Sequence, residues 1–225
     1  GCGTGRLAIE MAKRGHQAIG ADLDPDMIER AATKAPHIDW HVADLTELRL
    51  DAKFDAIVMA GNIPLFCAPS SQAAIIASLV EHASKRGVKL SIEPLHPMYA
   101  DCRSAVNTIG QCNDMLDQIG DEWVGIAADV YHIWWDPTLE QEVKRAGKRI
   151  IGLHVCDWMT PTADMLNDRG LMGEGCIDNR GIRQLVETAA GFADWIEVEV
   201  FSTRHWATDQ DQYLEKIIHA YKQHV

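Results

Sequence analysis

Residues 87–94 read Gly-Val-Lys-Leu-Ser-Ile-Glu-Pro, and their reading decides the fold of this chain. Gly87 ends a helix expected over Ser71–Arg86, because a residue without Cβ accepts the left-handed backbone in which many helices terminate. Val88–Ile92 is short and apolar enough for a buried parallel strand, and Glu93 stands where that strand stops. The same pattern returns three times downstream. A strand expected over Val124–Ala128 ends in Asp129, one over Arg149–Leu153 ends in His154, and one over Trp195–Val200 carries Glu199 near its end. Helices are expected near Ala105–Ile119, Leu139–Ala146 and Ile182–Ala190, with a last one from about Asp209. Strand and helix in strict alternation indicate an α/β fold of parallel βα units. Between Asp157 and Asp178 lies a loop of about 20 residues, longer than structureless loops in compact domains usually are, which points to function.

The same alternation extends upstream. Gly1-Cys2-Gly3-Thr4-Gly5 precedes a helix over Arg6–Arg14 that Gly15 ends, and a strand over Gln17–Ala21 closes on Asp22. Asp24 and Pro25 then supply an N-cap and a first-turn proline for a helix reaching about Lys34. Strands follow over Ile38–Val42 and Phe54–Met59. A GxGxG loop before a helix lets backbone amides approach a ligand at the positive helix end. Asp22 stands where a carboxylate can accept hydrogen bonds from ribose hydroxyls, and Asp44 repeats the placement after the next strand. Both acids equally suit strand-end or helix-capping roles.

Composition narrows the possible partners. The 225 residues, 47% hydrophobic and 24% charged, can bury a substantial core as one large domain or two small ones. A formal net charge of −12 without a Lys/Arg cluster argues against nucleic-acid or anionic-membrane surfaces and favours a small-molecule partner. The six cysteines have no CxxC pair or regular spacing, which reads as reduced thiols and a cytoplasmic location. No apolar run approaches the ~20 residues of a membrane helix, and no signal-type segment opens the chain. The glycine loop lacks a lead-in strand and the first residue is not Met, so the chain reads as a piece of a longer reading frame.

Two family resemblances lie side by side. GCGTG (1–5), AIGADLDPDMIERA (18–31), HVADLTEL (41–48) and FDAIVMAGNIPLF (54–66) together resemble a class I S-adenosylmethionine-dependent methyltransferase, truncated at its first strand. That resemblance implies a Rossmann-like segment over 1–72. In it Gly1, Gly3 and Gly5 would line the methionine and ribose part of S-adenosylmethionine, Asp22 would hold the ribose, and Asp44 would face the adenine amino group. LSIEPLHPMYADCRSAVNT (90–108), GIAADVYHIWWDP (125–137), the segment from Ile150 to Asp178, and WIEVEVFS (195–202) resemble the xylose-isomerase-like barrel superfamily, in its sugar phosphate isomerase/epimerase branch. Residues 73–225 would then be the C-terminal half of a TIM (β/α)8 barrel, strands five to eight, and the family's four metal ligands map onto Glu93, Asp129, His154 and Glu199. Three carboxylates and one imidazole suit Mn²⁺, Mg²⁺, Co²⁺ or Zn²⁺. By the same resemblance Glu93 and Glu199 would move protons on the two sides of a substrate carbon, and His132, Arg169 and His96 would bind substrate oxygens. Glu174 is a further candidate. The bland alternatives are a packed imidazole for His132, a surface ion pair for Arg169, and aromatic packing under a loop for Trp134 and Trp135.

The amino-terminal units would either complete one barrel-like domain with the carboxyl-terminal half or form a separate half-fold, and exposed sheet edges would invite homo-oligomers. The expected activity is a divalent-metal-dependent isomerase or epimerase of a sugar or sugar phosphate. The alternatives are an S-adenosylmethionine-dependent methyltransferase and an inactive fusion or fragment.

Overall fold

A computed structural model of the chain describes residues 1–44, 48–50 and 72–225. It divides into two compact units, Gly1–His82 and Ala83–Val225, the division falling within one helix. The strand expected over Phe54–Met59, residues 54–66 of the methyltransferase resemblance and Cys67 lie outside the described residues.

In the first unit the described elements are α1 (Arg6–Lys13), β1 (Ile19–Asp22), α2 (Pro25–Lys34), β2 (Asp39–Val42) and most of α3 (Gln72–Ser84). β1 and β2 pair in parallel, with Ile19 opposite Asp39 and Asp22 opposite Val42. Asp24 caps α2, its side chain accepting from the Asp26 N–H at 2.9 Å, and Pro25 takes the first helical position. Gly5 caps α1 at φ 77°, a conformation costly for any residue with a Cβ. Trp40 gives Gly5 a second reason to be small, because a Cβ there would come within 2.4 Å of the indole ring.

The second unit continues with β3 (Leu90–Ile92), α4 (Ile109–Ile119), β4 (Val124–Asp129), α5 (Val130–Ile133), α6 (Leu139–Ala146) and β5 (Ile150–Val155). It ends with β6 (Asp157–Trp158), β7 (Arg169–Gly170), α7 (Asn179–Ala190), β8 (Ile196–Val198), α8 (Thr203–Trp206) and α9 (Gln210–His224). Strands β3, β4, β5 and β8 form one parallel sheet in that order, the sequential order of a (β/α) barrel. The barrel is not closed: among the described residues β3 and β8 each pair on one side only.

One sheet face packs on helices. Ile126, Ala128, Leu153 and Val155 are buried there together with Ile109, Cys112 and Leu116 of α4, Val143 of α6 and Val186 of α7. Ion pairs of Arg145 with Asp114 (2.7 Å) and Asp117 (2.6 Å) tie α6 to α4 at the rim.

β1 and β3 each start two residues later than expected and β8 ends two residues earlier, while two helix starts and one loop differ further. α4 begins at Ile109 rather than near Ala105, because Thr108 and Gln111 close a reciprocal capping box at that point. α7 begins three residues before Ile182, where the Asp178 carboxylate accepts from the Gly181 N–H at 2.9 Å. The long loop contains an antiparallel ribbon, β6 with β7, pairing Asp157 with Gly170 and Trp158 with Arg169. Asp157, fully buried, holds the ribbon and the turn after it by accepting from the N–H groups of Trp158, Gly173 and Ile177 at 2.8–2.9 Å.

β4 passes close to the residue before β5 at Gly125, where a Cβ would lie 2.6 Å from the Arg149 carbonyl oxygen. Gly125→Ala should therefore cost about 1–3 kcal/mol, read as a lower urea midpoint with unchanged slope. Wild-type stability in that variant would contradict this close approach.

Candidate functional site

The parallel sheet lays four potential ligands side by side. Asp129 is the last residue of β4, His154 the penultimate residue of β5, and Glu93 and Glu199 each follow the end of their strand. Register pairs Asp129 with His154, and the Glu199 N–H donates to the Val155 carbonyl at 3.1 Å, so the strand ends stay level. One ligand atom from each of Glu93, Asp129, His154 and Glu199 lies within 4.8 Å of the others. The sequence-expected ligand set thus converges at one point.

The electrostatics are dominated by Asp129, whose side chain is 0% exposed. Its Oδ1 accepts from the Tyr131 N–H at 2.9 Å and so caps α5, while Oδ2 accepts from Arg169 Nη1 at 2.9 Å. Burial raises the Asp129 pKa above the ordinary carboxylate range; Arg169 pulls it back, and Glu93 and Glu199 push it further up. Arg169 is buried as well, not on the surface, and its Nη1 also donates to Glu199 Oε2 at 3.0 Å. Burial opposes the guanidinium charge, but Asp129, Cys156 and Glu199 more than offset it and hold its pKa above the ordinary value. The rings of Tyr131 and Phe201 lie 4.2 and 5.1 Å from its Cζ.

His154 supplies the second positive charge. Glu93 Oε1 faces its Nδ1 at 3.6 Å, Glu199 Oε2 lies 3.9 Å from Nδ1, and Glu197 Oε2 lies 3.9 Å from Nε2. The facing Glu93 carboxylate is the chief cause that pushes the imidazole up to about 9, against desolvation and with help from Asp129 and Glu199. At 3.6 Å that contact is an ion pair rather than a hydrogen bond, and Glu93 Oε1 and His154 Nδ1 are buried polar atoms without a hydrogen-bond partner.

The expected substrate-binding residues are arranged around this centre. The His96 backbone N–H donates to His132 Nδ1 at 3.1 Å, which puts the proton of a neutral imidazole on Nε2, 3.6 Å from Asp129 Oδ2 and 3.3 Å from Arg169 Nη2. Burial, then the nearby Arg169, pushes His132 down to about 3, so the ring is neutral. The His96 ring accepts from the Met98 N–H at 3.2 Å and packs on Trp158, centroids 4.7 Å apart. Trp134 and Trp135 pack on Trp158 and His96 respectively. Glu174 lies apart from the four ligands, accepting from the Leu171 N–H, Arg204 and His205 at 2.8–2.9 Å.

Sequence reading missed Tyr131 and Phe201 as the faces bracketing Arg169, and Glu197 beside His154. Glu197 was detectable, since it stands two residues before Glu199 on the same strand face. In the first unit, the Gly3 N–H donates to Asp22 Oδ2 at 2.7 Å and the Asp24 N–H to Oδ1 at 3.0 Å. Gly1 also lies against this carboxylate, since a Cβ on it would come within 3.0 Å of Asp22 Oδ2. Asp44 follows β2 by two residues.

Comparison with known proteins gives two family matches. Residues 71–223 match the family described as xylose isomerase-like TIM barrel, and residues 1–87 match a methyltransferase domain. An inosose isomerase of Bacillus velezensis is 27% identical over 150 residues, 64% of this chain and 51% of that protein. The crystal structure of SMc04130 from Sinorhizobium meliloti 1021 superposes with a TM-score of 0.64 at 47% identity, covering 68% of this chain and 56% of that one. The IOLI protein with a binding zinc atom superposes at 0.55 with 20% identity, covering 74% and 58%. The chain spans between about a fifth and about a half of the length of the curated relatives it matches.

Removing Arg169 should leave the fully buried Asp129 without its ion-pair partner and Glu199 with only His154 at 3.9 Å. Arg169→Met is expected to cost about 3–5 kcal/mol at neutral pH in chelator-treated buffer. Without Arg169 the folded-state pKa of Asp129 rises further above its unfolded value, so the folded form binds more protons. The deficit should then shrink as pH falls below that pKa and grow as pH rises through it. Equilibrium unfolding from acid to neutral pH measures this, and a pH-independent deficit would contradict it.

Proposed function

Because the chain belongs to the xylose isomerase-like TIM barrel family, we propose that residues 73–225 carry a divalent-metal-dependent isomerase or epimerase site for a sugar or sugar phosphate. The observation that carries this reading is the convergence of Glu93, Asp129, His154 and Glu199 within 4.8 Å, with Glu93 Oε1 and His154 Nδ1 buried and lacking hydrogen-bond partners. Three carboxylates and an imidazole are a donor set that fits Mn²⁺, Mg²⁺, Co²⁺ or Zn²⁺. The zinc in the IOLI structure supports the same reading, as does the similarity to an inosose isomerase.

A bound divalent ion would act there as a Lewis acid on a hydroxyl and the neighbouring carbonyl of the substrate. The protein's own groups divide the remaining work. Glu93 and Glu199, half-buried at separate strand ends, are the proton carriers, one removing a proton from the carbon beside the carbonyl and the other returning one. Asp129 is fixed by the Tyr131 N–H and Arg169 and is a ligand only. Arg169 neutralises Asp129 and Glu199 and fixes where the Glu199 carboxylate points. His132, neutral and buried, offers its Nε2 proton at the same centre, and the aromatic group of His96, Trp135 and Trp158 walls the approach.

Metal titration and solvent exchange test this jointly. The wild-type chain should bind one divalent ion, and Glu93→Gln or Asp129→Asn should weaken binding by at least about 10–100-fold. With a ketose pool, proton NMR in deuterium oxide should show metal-dependent exchange of a carbon-bound proton, lost in Glu199→Gln. No ion bound, or exchange unaffected by that change, would overturn the reading.

The first unit carries a second reading, S-adenosylmethionine binding over residues 1–72. It is favoured by the match to a methyltransferase domain and by the direct contact between the Gly3 amide and Asp22. Calorimetry should then show S-adenosylmethionine binding that Asp22→Ala removes. No binding at millimolar cofactor would exclude it.

A further inference from the structure

The parallel sheet has a second face, opposite its helices. Side chains alternate along a strand, so Lys89 and Ser91, Ala127, Gly152, and Trp195 with Glu197 fall on the face that carries the four ligands at its end. These residues line a concave cavity of about 890 Å³. In a closed (β/α) barrel this face is the packed interior, filled mainly by branched apolar side chains. Here Trp195 is 91% exposed and the Glu197 side chain 69% exposed. Ala127 and Gly152 lie in the middle of the face, with Ile150 and Lys148 at the foot of β5, and each edge carries a charge: Lys89 directly before β3, Glu197 on β8.

Both edges are also unpaired among the described residues, and a row of free strand N–H and C=O groups is a template for a further parallel strand. We propose that this face and its two edges form an interface with a second copy of this chain. A two-fold axis along the barrel direction sets β3 of each copy beside β8 of the other, so all eight strands run parallel and the sheet closes on itself. The charge pattern fits that occupant. With the ligand-bearing strand ends kept level, Lys89 of one copy lies beside Trp195 of the second copy and diagonally across from its Glu197. Both are within reach of a long side chain, as a cation–π contact and an ion pair. The two-fold makes each contact twice.

Sedimentation velocity on the full chain tests this, with charge reversals as the diagnostic. The wild type should sediment at micromolar concentration as a particle of two 25.0 kDa chains. Lys89→Glu and Glu197→Lys each place like charges at both junctions and should weaken self-association about tenfold or more. Mixed one to one, those two variants should assemble again, because each junction of the mixed pair then joins opposite charges. The chain carrying both changes should assemble like the wild type. Recovery on mixing also shows that the single variants are folded. A wild type that stays at one chain throughout, a dimer that neither reversal weakens, or variants that do not recover on mixing would each overturn the proposal.

Discussion

One buried carboxylate sets the layout of the second unit's mouth. Asp129 ends an interior strand with its side chain out of water, where an unpaired charge would cost several kcal/mol. Its two oxygens are satisfied from different directions: Oδ1 by the first turn of α5, Oδ2 by the guanidinium of Arg169. Arg169 lies on β7, so the β6–β7 ribbon must fold over the strand ends to deliver it, and Asp157 pins that ribbon from beneath. The same guanidinium reaches Glu199 beyond β8. Three separate parts of the chain are thus tied together through Asp129 and Arg169, which brings the strand ends carrying the candidate ligands to one place.

Such an arrangement stores more charge than it neutralises locally. Glu93, Asp129 and Glu199 face the two cations Arg169 and His154, with Glu197 at the margin. His132 takes no share of the positive charge, since burial and Arg169 keep it neutral. Arg169 is consumed by holding Asp129 and Glu199, which leaves Glu93 and His154 as the pair whose facing atoms lack hydrogen bonds. The site is therefore tied by hydrogen bonds on its Asp129 side, whereas Glu93 Oε1 and His154 Nδ1 face each other without them.

Much of this was legible in the sequence, and the exceptions share a cause. The four strand ends could be read because alternation and helix stops are local signals, and the acid or imidazole at each end is a single letter. The Asp157–Gly170 ribbon could not, because two-residue strands have no period and are held by a buried carboxylate accepting from backbone groups 16 and 20 residues away. Arg169 stands out in the sequence as a substrate-binding candidate, but its burial against Asp129 depends on a contact 40 residues distant. The helix starts moved by three or four residues because Thr108 and Asp178 cap where they stand rather than where apolar periodicity begins. Gly5 shows the opposite hazard. Its place in a glycine loop suggests a cofactor, yet its φ of 77° and the Trp40 ring above it already require glycine there, whatever the loop binds.

The central claim is that Glu93, Asp129, His154 and Glu199 hold one divalent ion. Zinc K-edge X-ray absorption on the chain loaded with one equivalent of Zn²⁺ tests it most directly. The zinc should show a first shell of oxygen and nitrogen at about 2.0–2.2 Å with the outer-shell signature of one imidazole, lost in His154→Ala. A shell containing sulfur at about 2.3 Å, or an imidazole signature that survives removal of His154, would contradict it.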